Sequence, residues 1–357
     1  MTITEVTYRR MEFELSEPYY IAYESIHSTV NFILQIKTNA SIIGYGCAVP
    51  DAEVTGEIPD QVEHTLQNTI IPFLSGKDPF SYARILYDLK KLLGDESSAM
   101  AMVDMALHDL IAKKSRVPLY RFLGGYRNSI PTSITIGILS IEDTIERAHD
   151  FIDQNFSILK IKGGNNLDED IEKMIKLREE FPEVILRFDG NQGYSLEDSI
   201  AFVNATERVG IEIYEQPVHI NSSKTLGKVT KGVDIPVMAD ESLKTLSDAF
   251  YLAQNEHVDM VNIKLMKVGG ILEGMHINSV AKSAGLEAMV GCIDECALGI
   301  AAGLHFALAR PNIRYADLDG HLDLIDDPFQ GLFKLEKGIL YPSDHPGLGK
   351  IDPSIFN

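Results

Sequence analysis

In the first third of the chain, apolar and polar residues alternate, the period of a half-buried strand. The runs TITEVTYRRMEFEL, VNFILQIKT and IIGYGCAV read as three strands, with NAS marking the hairpin between the last two. The period then lengthens. Helical spacing runs from about Pro59 to Leu74, from Pro79 to Leu93, and through SSAMAMVDMALHDLIAKKS. Strands followed by helices predict an α+β unit over residues 1–125.

From IPTSITIGI onward the rhythm changes again. Short strand-like runs (SILKIK, VILRFD, IEIYEQ, PVMADE, VDMVNIK, LEAMVG, NIRYAD) alternate with helical ones. Eight strands with seven helices between them imply a parallel sheet that closes into a barrel over residues 126–320. An open doubly wound sheet is the alternative, but no G-x-G-x-x-G follows any of these strands. Residues 321–357 are expected to return to the first unit.

One strand raises a question. SILKIKGG places Lys160 and Lys162 on one face and Leu159 and Ile161 on the other. If the apolar face packs on helices, two ammonium groups point into the barrel, where lysine is rare unless paired. An exposed edge strand with solvated lysines is the plainer alternative.

The active site of such a barrel lies at the C-terminal ends of its strands. The second strand ends in Lys162, the third in Asp189, the fourth in Glu215 and the fifth in Asp240. The sixth ends in Lys264 and the eighth in Asp317 with Asp319. Three carboxylates on adjacent strands, without His or Cys, suit a hard cation: Mg²⁺ first, with Mn²⁺ as a possible substitute. A cap on the helix that follows each strand, a common use of βα loops, is the alternative for each acid; three in succession between lysines favour the metal. Strands two and six are opposite one another, so Lys162 and Lys264 face across the barrel mouth. A substrate carboxylate on the metal would hold its α-carbon between them, and opposed bases can remove a proton from one face and return it to the other. Mg²⁺ and Lys160 are expected to lower the pKa of the basic lysine by like-charge repulsion. Lys267, one helical turn past its strand, reads as a loop or helix-start charge.

Composition narrows the partners. Across 357 residues the chain is 45% hydrophobic and 24% charged, like ordinary soluble globular proteins. A net charge of −20 argues against nucleic acid and anionic membranes, and it leaves a cationic substrate open. The opening residues lack the apolar core of a signal peptide, and no run approaches a membrane span. Three cysteines, Cys47, Cys292 and Cys296, offer no disulfide framework and point to a reducing cytoplasm. A homo-oligomer is the expected assembly.

The pattern K-x-K at 160–162, D-x-N at 189–191, EQP at 215–217, ADES at 239–242 and NIKLMKVGG at 262–270 resembles the enolase superfamily, muconate-lactonising subgroup. The likeness spans the whole chain. It implies an α/β fold, a (β/α)7β modified TIM barrel with an N-terminal α+β capping domain. It also implies Mg²⁺ on Asp189, Glu215 and Asp240, with Asn191 and Glu241 behind them, and Lys162 and Lys264 as the acid–base pair. A lysine base with Mg²⁺ is a known pattern of enolase-superfamily sites.

Within that subgroup, Asp317-x-Asp319 looks like the signature of dipeptide epimerases, where the acid pair holds the substrate's α-ammonium. An acid pair capping the turn after strand eight is the alternative. Thr135, Cys292 and Asp294 match pocket-lining positions. The best-known members act on L-Ala-D/L-Glu and carry an arginine in a capping loop; here YYIAYESI puts Glu24 at that position. With Asp51 and Glu53 in the second capping loop and Asp294 after strand seven, the acids would repel a glutamate side chain and attract Lys or Arg. Tyr19, Tyr20 and Tyr23 could stack on such a side chain. The expectation is an isomerase acting on a cationic dipeptide by 1,1-proton transfer. An o-succinylbenzoate synthase or cycloisomerase, which needs no ammonium seat, and a non-catalytic binding protein are the rivals.

Overall fold

The structure, a computed structural model, describes residues 1–20 and 25–356. Three long strands, β1 (Ile3–Tyr20), β2 (Ser25–Thr38) and β3 (Ile43–Ala48), form an antiparallel sheet in that order. One face carries Phe32, Leu34 and Ile36, which pack with Leu66, Leu89, Met102 and Leu107 in a separate apolar cluster. The helix Ser97–Lys114 lies against β3 and is buried on nearly every side. Its approach depends on Gly44 and Gly46: a Cβ on Gly46 would stand 1.9 Å from the Met102 carbonyl oxygen.

A two-residue strand, β4 (Ile130–Pro131), precedes the barrel. The barrel strands are β5 (Ile134–Ile136), β6 (Ile158–Lys162), β7 (Ile185–Asp189), β8 (Tyr214–Glu215), β9 (Val237–Ala239), β10 (Met260–Lys264), β11 (Glu287–Gly291) and β12 (Ile313–Asp317). All neighbours are parallel in chain order, and a parallel bridge from Thr132 to Ala316 brings the last strand back beside the first. Among the described residues, one helix of nine to fourteen residues stands between each successive pair of strands. None is long and apolar enough to cross a membrane.

Four of these helices open on a side-chain cap. Ser140, Asn166, Ser195 and Thr245 accept from the backbone N–H three residues on. The barrel interior is layered. Ile213, Met238, Met260 and Met289 form an apolar plug near the N-terminal end. Two and four residues beyond Met260 on the same face come Asn262 and Lys264, so charge collects at the opposite mouth. Leu159 and Ile161 are fully buried against the outer helices, each contributing roughly 1.5–3 kcal/mol.

The capping sheet and helix are tied to that mouth. The Asp104 carboxylate accepts the backbone N–H groups of Ile271 and Leu272, which open the helix after β10. Asn31 of β2 accepts from the Cys296 N–H at 2.8 Å and donates to the Asp294 carbonyl at 3.3 Å. Beyond the barrel, the hairpin β13 (Phe333–Glu336) and β14 (Ile339–Pro342) pairs with β4. After it, Leu348 N–H donates to Asp109 of the capping helix at 2.8 Å.

Candidate active site

Register gathers the strand-end residues into one layer. Lys162 pairs with Asp189 and Asp189 with Glu215, while Lys264 pairs with Gly291 and Gly291 with Asp317. Both lysines of β6 therefore point inward, and neither is a solvated edge residue. The Lys160 ammonium lies 3.0 Å from Asp189, 2.8 Å from Glu215 and 2.9 Å from Asp317. Lys162 is 3.7 Å from Asp189, and Lys264, four strands away, is 2.7 Å from Asp240.

The three acids do not cap helices. After β7 the cap is Ser195, after β9 it is Thr245, and after β8 the turn at Ile220 is capped by His219. Their carboxylates face one another instead. Burial pushes Glu215 up to about 8; Lys160 opposes that rise, and the nearby charges of Asp189 and Asp240 add to it. Burial also opposes the charge of Asp240, but Lys264 and Lys267 hold it well below the usual carboxylate range. Behind them, Asn191 Oδ1 and Glu241 Oε2 are buried oxygens without a hydrogen-bond partner. Burial, with Asp240 and Asp189, lifts Glu241 to about 7.

Among the described residues no three His, Cys, Asp or Glu side chains are already spaced to hold a metal, and the lysine ammoniums occupy the carboxylate oxygens. The donors nevertheless fit a hard cation in kind. They are oxygen only, buried, crowded enough to repel, and backed by two orphaned oxygens.

One expectation needs correction. Lys267 does stand at a helix start, in Leu265–Val268, but it is no bystander charge: it is 2% exposed, and its ammonium contacts both the carboxylate and the carbonyl of Asp240. The four-residue turn Leu265–Val268 folds it back under β9. Apart from any ion's charge, Lys160 alone does not lower Lys264. Burial and the like charge of Lys160 both oppose its proton, but Asp240 overrides them and holds it well above its ordinary value.

The eighth strand closes the site. Asp317 accepts from Ser133 Oγ at 2.7 Å besides Lys160, so both of its oxygens are engaged. Asp319 accepts from the Thr135 N–H at 2.7 Å and lies 3.8 Å from Cys292 Sγ. Burial and the neighbouring Asp317 push Asp319 up to about 7. Burial, with Asp319 nearby, also raises the Cys292 thiol well above its usual range.

Thr135, Lys160, Lys162, Asn191, Asp240, Glu241, Lys264, Cys292, Asp294, Asp317 and Asp319 all line one cleft, with Asp51 reaching it from the capping unit. Asp189 and Glu215 sit beneath, in contact with Lys160. Asp51 also spends one oxygen on its own loop, accepting from Glu53 N–H and Val54 N–H. Glu53 is exposed and stays outside the cleft. Tyr23 and Glu24 lie outside the described residues.

Asp323 was not anticipated. It lines the same cleft from the segment after β12. Burial first, then Asp323 and Asp51, push Asp294 up to about 6, with Lys162 opposing. Gln216 was also missed. Fully buried, it accepts from Asp240 N–H and Ser242 N–H and donates to Val218 and Ser242, locking the β8 loop to the β9 loop. Its place inside the EQP run was the only hint.

Residues 3–124 match the mandelate racemase / muconate lactonizing enzyme N-terminal domain, and residues 143–352 match the enolase C-terminal domain-like family. The chain belongs to the enolase superfamily. Its relatives in that superfamily include several named epimerases, and the expected fold class and isomerase class are borne out. The L-Lys-D/L-Arg epimerase of Desulforapulum autotrophicum is 40% identical, covering 98% of this chain and 99% of its own. A Methylococcus capsulatus dipeptide epimerase, solved with Mg and the dipeptide L-Arg-D-Lys, superposes with a TM-score of 0.95 at 37% identity, covering 99% of this chain and 100% of that one. The substrate-liganded L-Ala-D/L-Glu epimerase of Bacillus subtilis gives 0.95 at 36% identity, with 98% of each chain covered.

Proposed function

We propose that this enolase-superfamily protein is a Mg²⁺-dependent dipeptide epimerase that inverts the α-carbon of the C-terminal residue and prefers cationic dipeptides. One observation carries the reading: Lys162 and Lys264 stand on opposite strands of the mouth, with the Asp317–Asp319 pair facing the same cleft. Two amines across an α-carbon suit proton removal and return. Two carboxylates suit an α-ammonium and repel the anionic end of muconate or succinylbenzoate.

Asp189, Glu215 and Asp240 would hold the ion. When bound, Mg²⁺ would supply positive charge beside the substrate carboxylate. One lysine takes the α-proton while the other, still an ammonium, delivers its proton to the opposite face. Lys160 holds positive charge beside the developing oxyanion and keeps Asp317 in place. Asp319 completes the ammonium seat, anchored by the Thr135 N–H. Asp294, Asp323 and Asp51 crowd one end of the cleft with negative charge, which a Lys or Arg side chain would neutralise. The relatives named for Lys, Arg and their epimers support the same preference.

The test is incubation with Mg²⁺ in D₂O and L-Ala-L-Xaa dipeptides, reading deuterium at the C-terminal α-carbon by mass spectrometry. Uptake in the Lys and Arg peptides should exceed that in the Glu peptide by about tenfold or more, a difference near 1.4 kcal/mol. Uptake mainly in the Glu peptide would keep the reaction and discard the preference. No uptake, with Mg²⁺ bound, would favour a cycloisomerase.

Asp319 adds a pH signature. Raised to about 7, it is largely protonated at pH 6 and a poor ammonium seat. KM for a dipeptide should therefore fall as pH rises through 7, by up to about tenfold per unit on the acid side. Asp319→Asn should raise KM and flatten that dependence; steady-state kinetics from pH 5.5 to 8.5 decide it.

A further inference from the structure

Asp170 lies in the helix that follows β6, outside the cleft, and is 3% exposed. One of its oxygens accepts the Gly164 N–H at 2.8 Å and the Tyr194 hydroxyl at 2.7 Å. Gly164 is in the turn directly after Lys162, and Tyr194 is in the loop directly after Asp189. One carboxylate oxygen thus joins the two loops that carry a candidate base and a candidate metal ligand. Its other oxygen lies 3.6 Å from Lys173, whose buried ammonium has no hydrogen-bond partner.

The surrounding contacts leave that turn little room. A Cβ on Gly163 would stand 2.4 Å from the Phe188 ring and 2.6 Å from the Asp170 carboxylate. A Cβ on Gly164 would stand 2.2 Å from the Gly190 carbonyl oxygen. The Gly163 N–H donates to the Asp189 carbonyl at 3.0 Å. Gly190, Gln192 and Tyr194 then donate to the carbonyls of Glu215, Gln216 and Pro217, so each loop rests on the next. The β6 turn is held to the β7 loop by a backbone hydrogen bond, glycine packing and Asp170, beside the 3.7 Å approach of Lys162 to Asp189.

We propose that Asp170 is a positioning residue for Lys162, pinning the Gly163–Gly164 turn to the Tyr194 loop so that the Lys162 amine meets the α-proton at a fixed distance. The proposal rests on the epimerase reading. A buried carboxylate that receives two donors and faces a buried ammonium is costly to keep without a task, because an apolar side chain of similar volume would fill the space. Lys264, on the far side of the barrel, makes no contact with this clamp. Loss of the clamp must therefore harm one half of the reaction more than the other, which a general loss of stability would not do.

The experiment compares Asp170→Leu and Tyr194→Phe with wild type, each saturated with Mg²⁺, using the two epimers of a Lys-containing dipeptide separately in D₂O. Lys162→Ala shows beforehand which epimer depends on Lys162 for proton removal. In Asp170→Leu, deuterium uptake from that epimer should fall about 10²-fold, with a much smaller fall from the other. Tyr194→Phe, which keeps the buried ring, should show the same asymmetry at reduced size, and it carries the test if Asp170→Leu does not fold. Amide exchange at Gly164 reads the clamp without substrate and should speed up in both variants. A wild type that exchanges no α-proton would defeat the epimerase reading. Equal losses on the two epimers, or a Gly164 amide as protected as before, would defeat the positioning role.

Discussion

Lys162→Ala and Lys264→Ala should each abolish inversion, with turnover falling about 10³-fold or more, at the upper end of what a positioned general acid or base contributes. The expectation follows from topology. β6 and β10 are four strands apart in an eight-strand barrel, so the two amines approach a central carbon from opposite faces. Inversion needs both, because the lysine that removes the proton cannot return it to the other side. Exchange needs only one. Each variant should therefore still wash deuterium into one epimer without inverting it, and the two variants should select opposite epimers. ¹H NMR of each pure epimer in D₂O reads both quantities at once. Equal exchange from both epimers in either variant would break the two-base scheme, and inversion by either variant would end it.

The residues behind that prediction were legible in the sequence for a simple reason. In a parallel barrel every strand ends at the same rim, so the last polar residue of each run lands in one layer without any knowledge of side-chain contacts. Lys162, Asp189 and Glu215 are register partners in series, and reading strand ends was enough to bring them together. What periodicity does not carry is the path of the chain after the strand. Lys267 is three residues past Lys264, and only the tight turn Leu265–Val268 sends it back onto Asp240. Asp323 comes from a segment with neither helical nor strand period, so nothing in its spacing pointed to the cleft. Gln216 and Asp170 act through backbone N–H groups of neighbouring loops, which leave no pattern in the sequence. The acids anticipated from the capping unit divided for the same reason. Asp51 lines the cleft while one of its oxygens caps its own loop, and Glu53 two positions on is exposed.

Glu215→Gln should remove Mg²⁺-dependent activity while leaving the fold intact, and it separates a metal ligand from a structural acid. Glu215 is the middle acid of the three, on the strand between those of Asp189 and Asp240. Its oxygens meet Asn262 Nδ2 at 2.7 Å and Lys160 at 2.8 Å. The amide keeps the volume and one acceptor but removes a charge from an all-carboxylate set. Charge stabilisation by a bound divalent ion amounts to several kcal/mol, so turnover should fall about 10²–10⁴-fold, and calorimetric titration should show Mg²⁺ affinity falling with it. Chelation of wild-type protein should give the same loss, reversed by added Mg²⁺. Stability should move differently. Lys160 keeps Asp189 and Asp317 at 3.0 and 2.9 Å, so it is not left as an unpaired buried charge. Glu215, raised to about 8 by burial and its acidic neighbours, binds its proton more tightly folded than unfolded. Without metal, its ionisation therefore costs wild-type stability increasingly as pH rises from its ordinary range toward 8, and the glutamine has no such cost. The Tm of the variant minus that of wild type, both metal-free, should increase between pH 5 and 8. Mg²⁺ should narrow the difference by stabilising wild type alone. A variant that binds Mg²⁺ as tightly as wild type would remove Glu215 from the proposed ligand set, and a Tm difference that shrinks with pH would remove the crowding on which the proposed cation site rests.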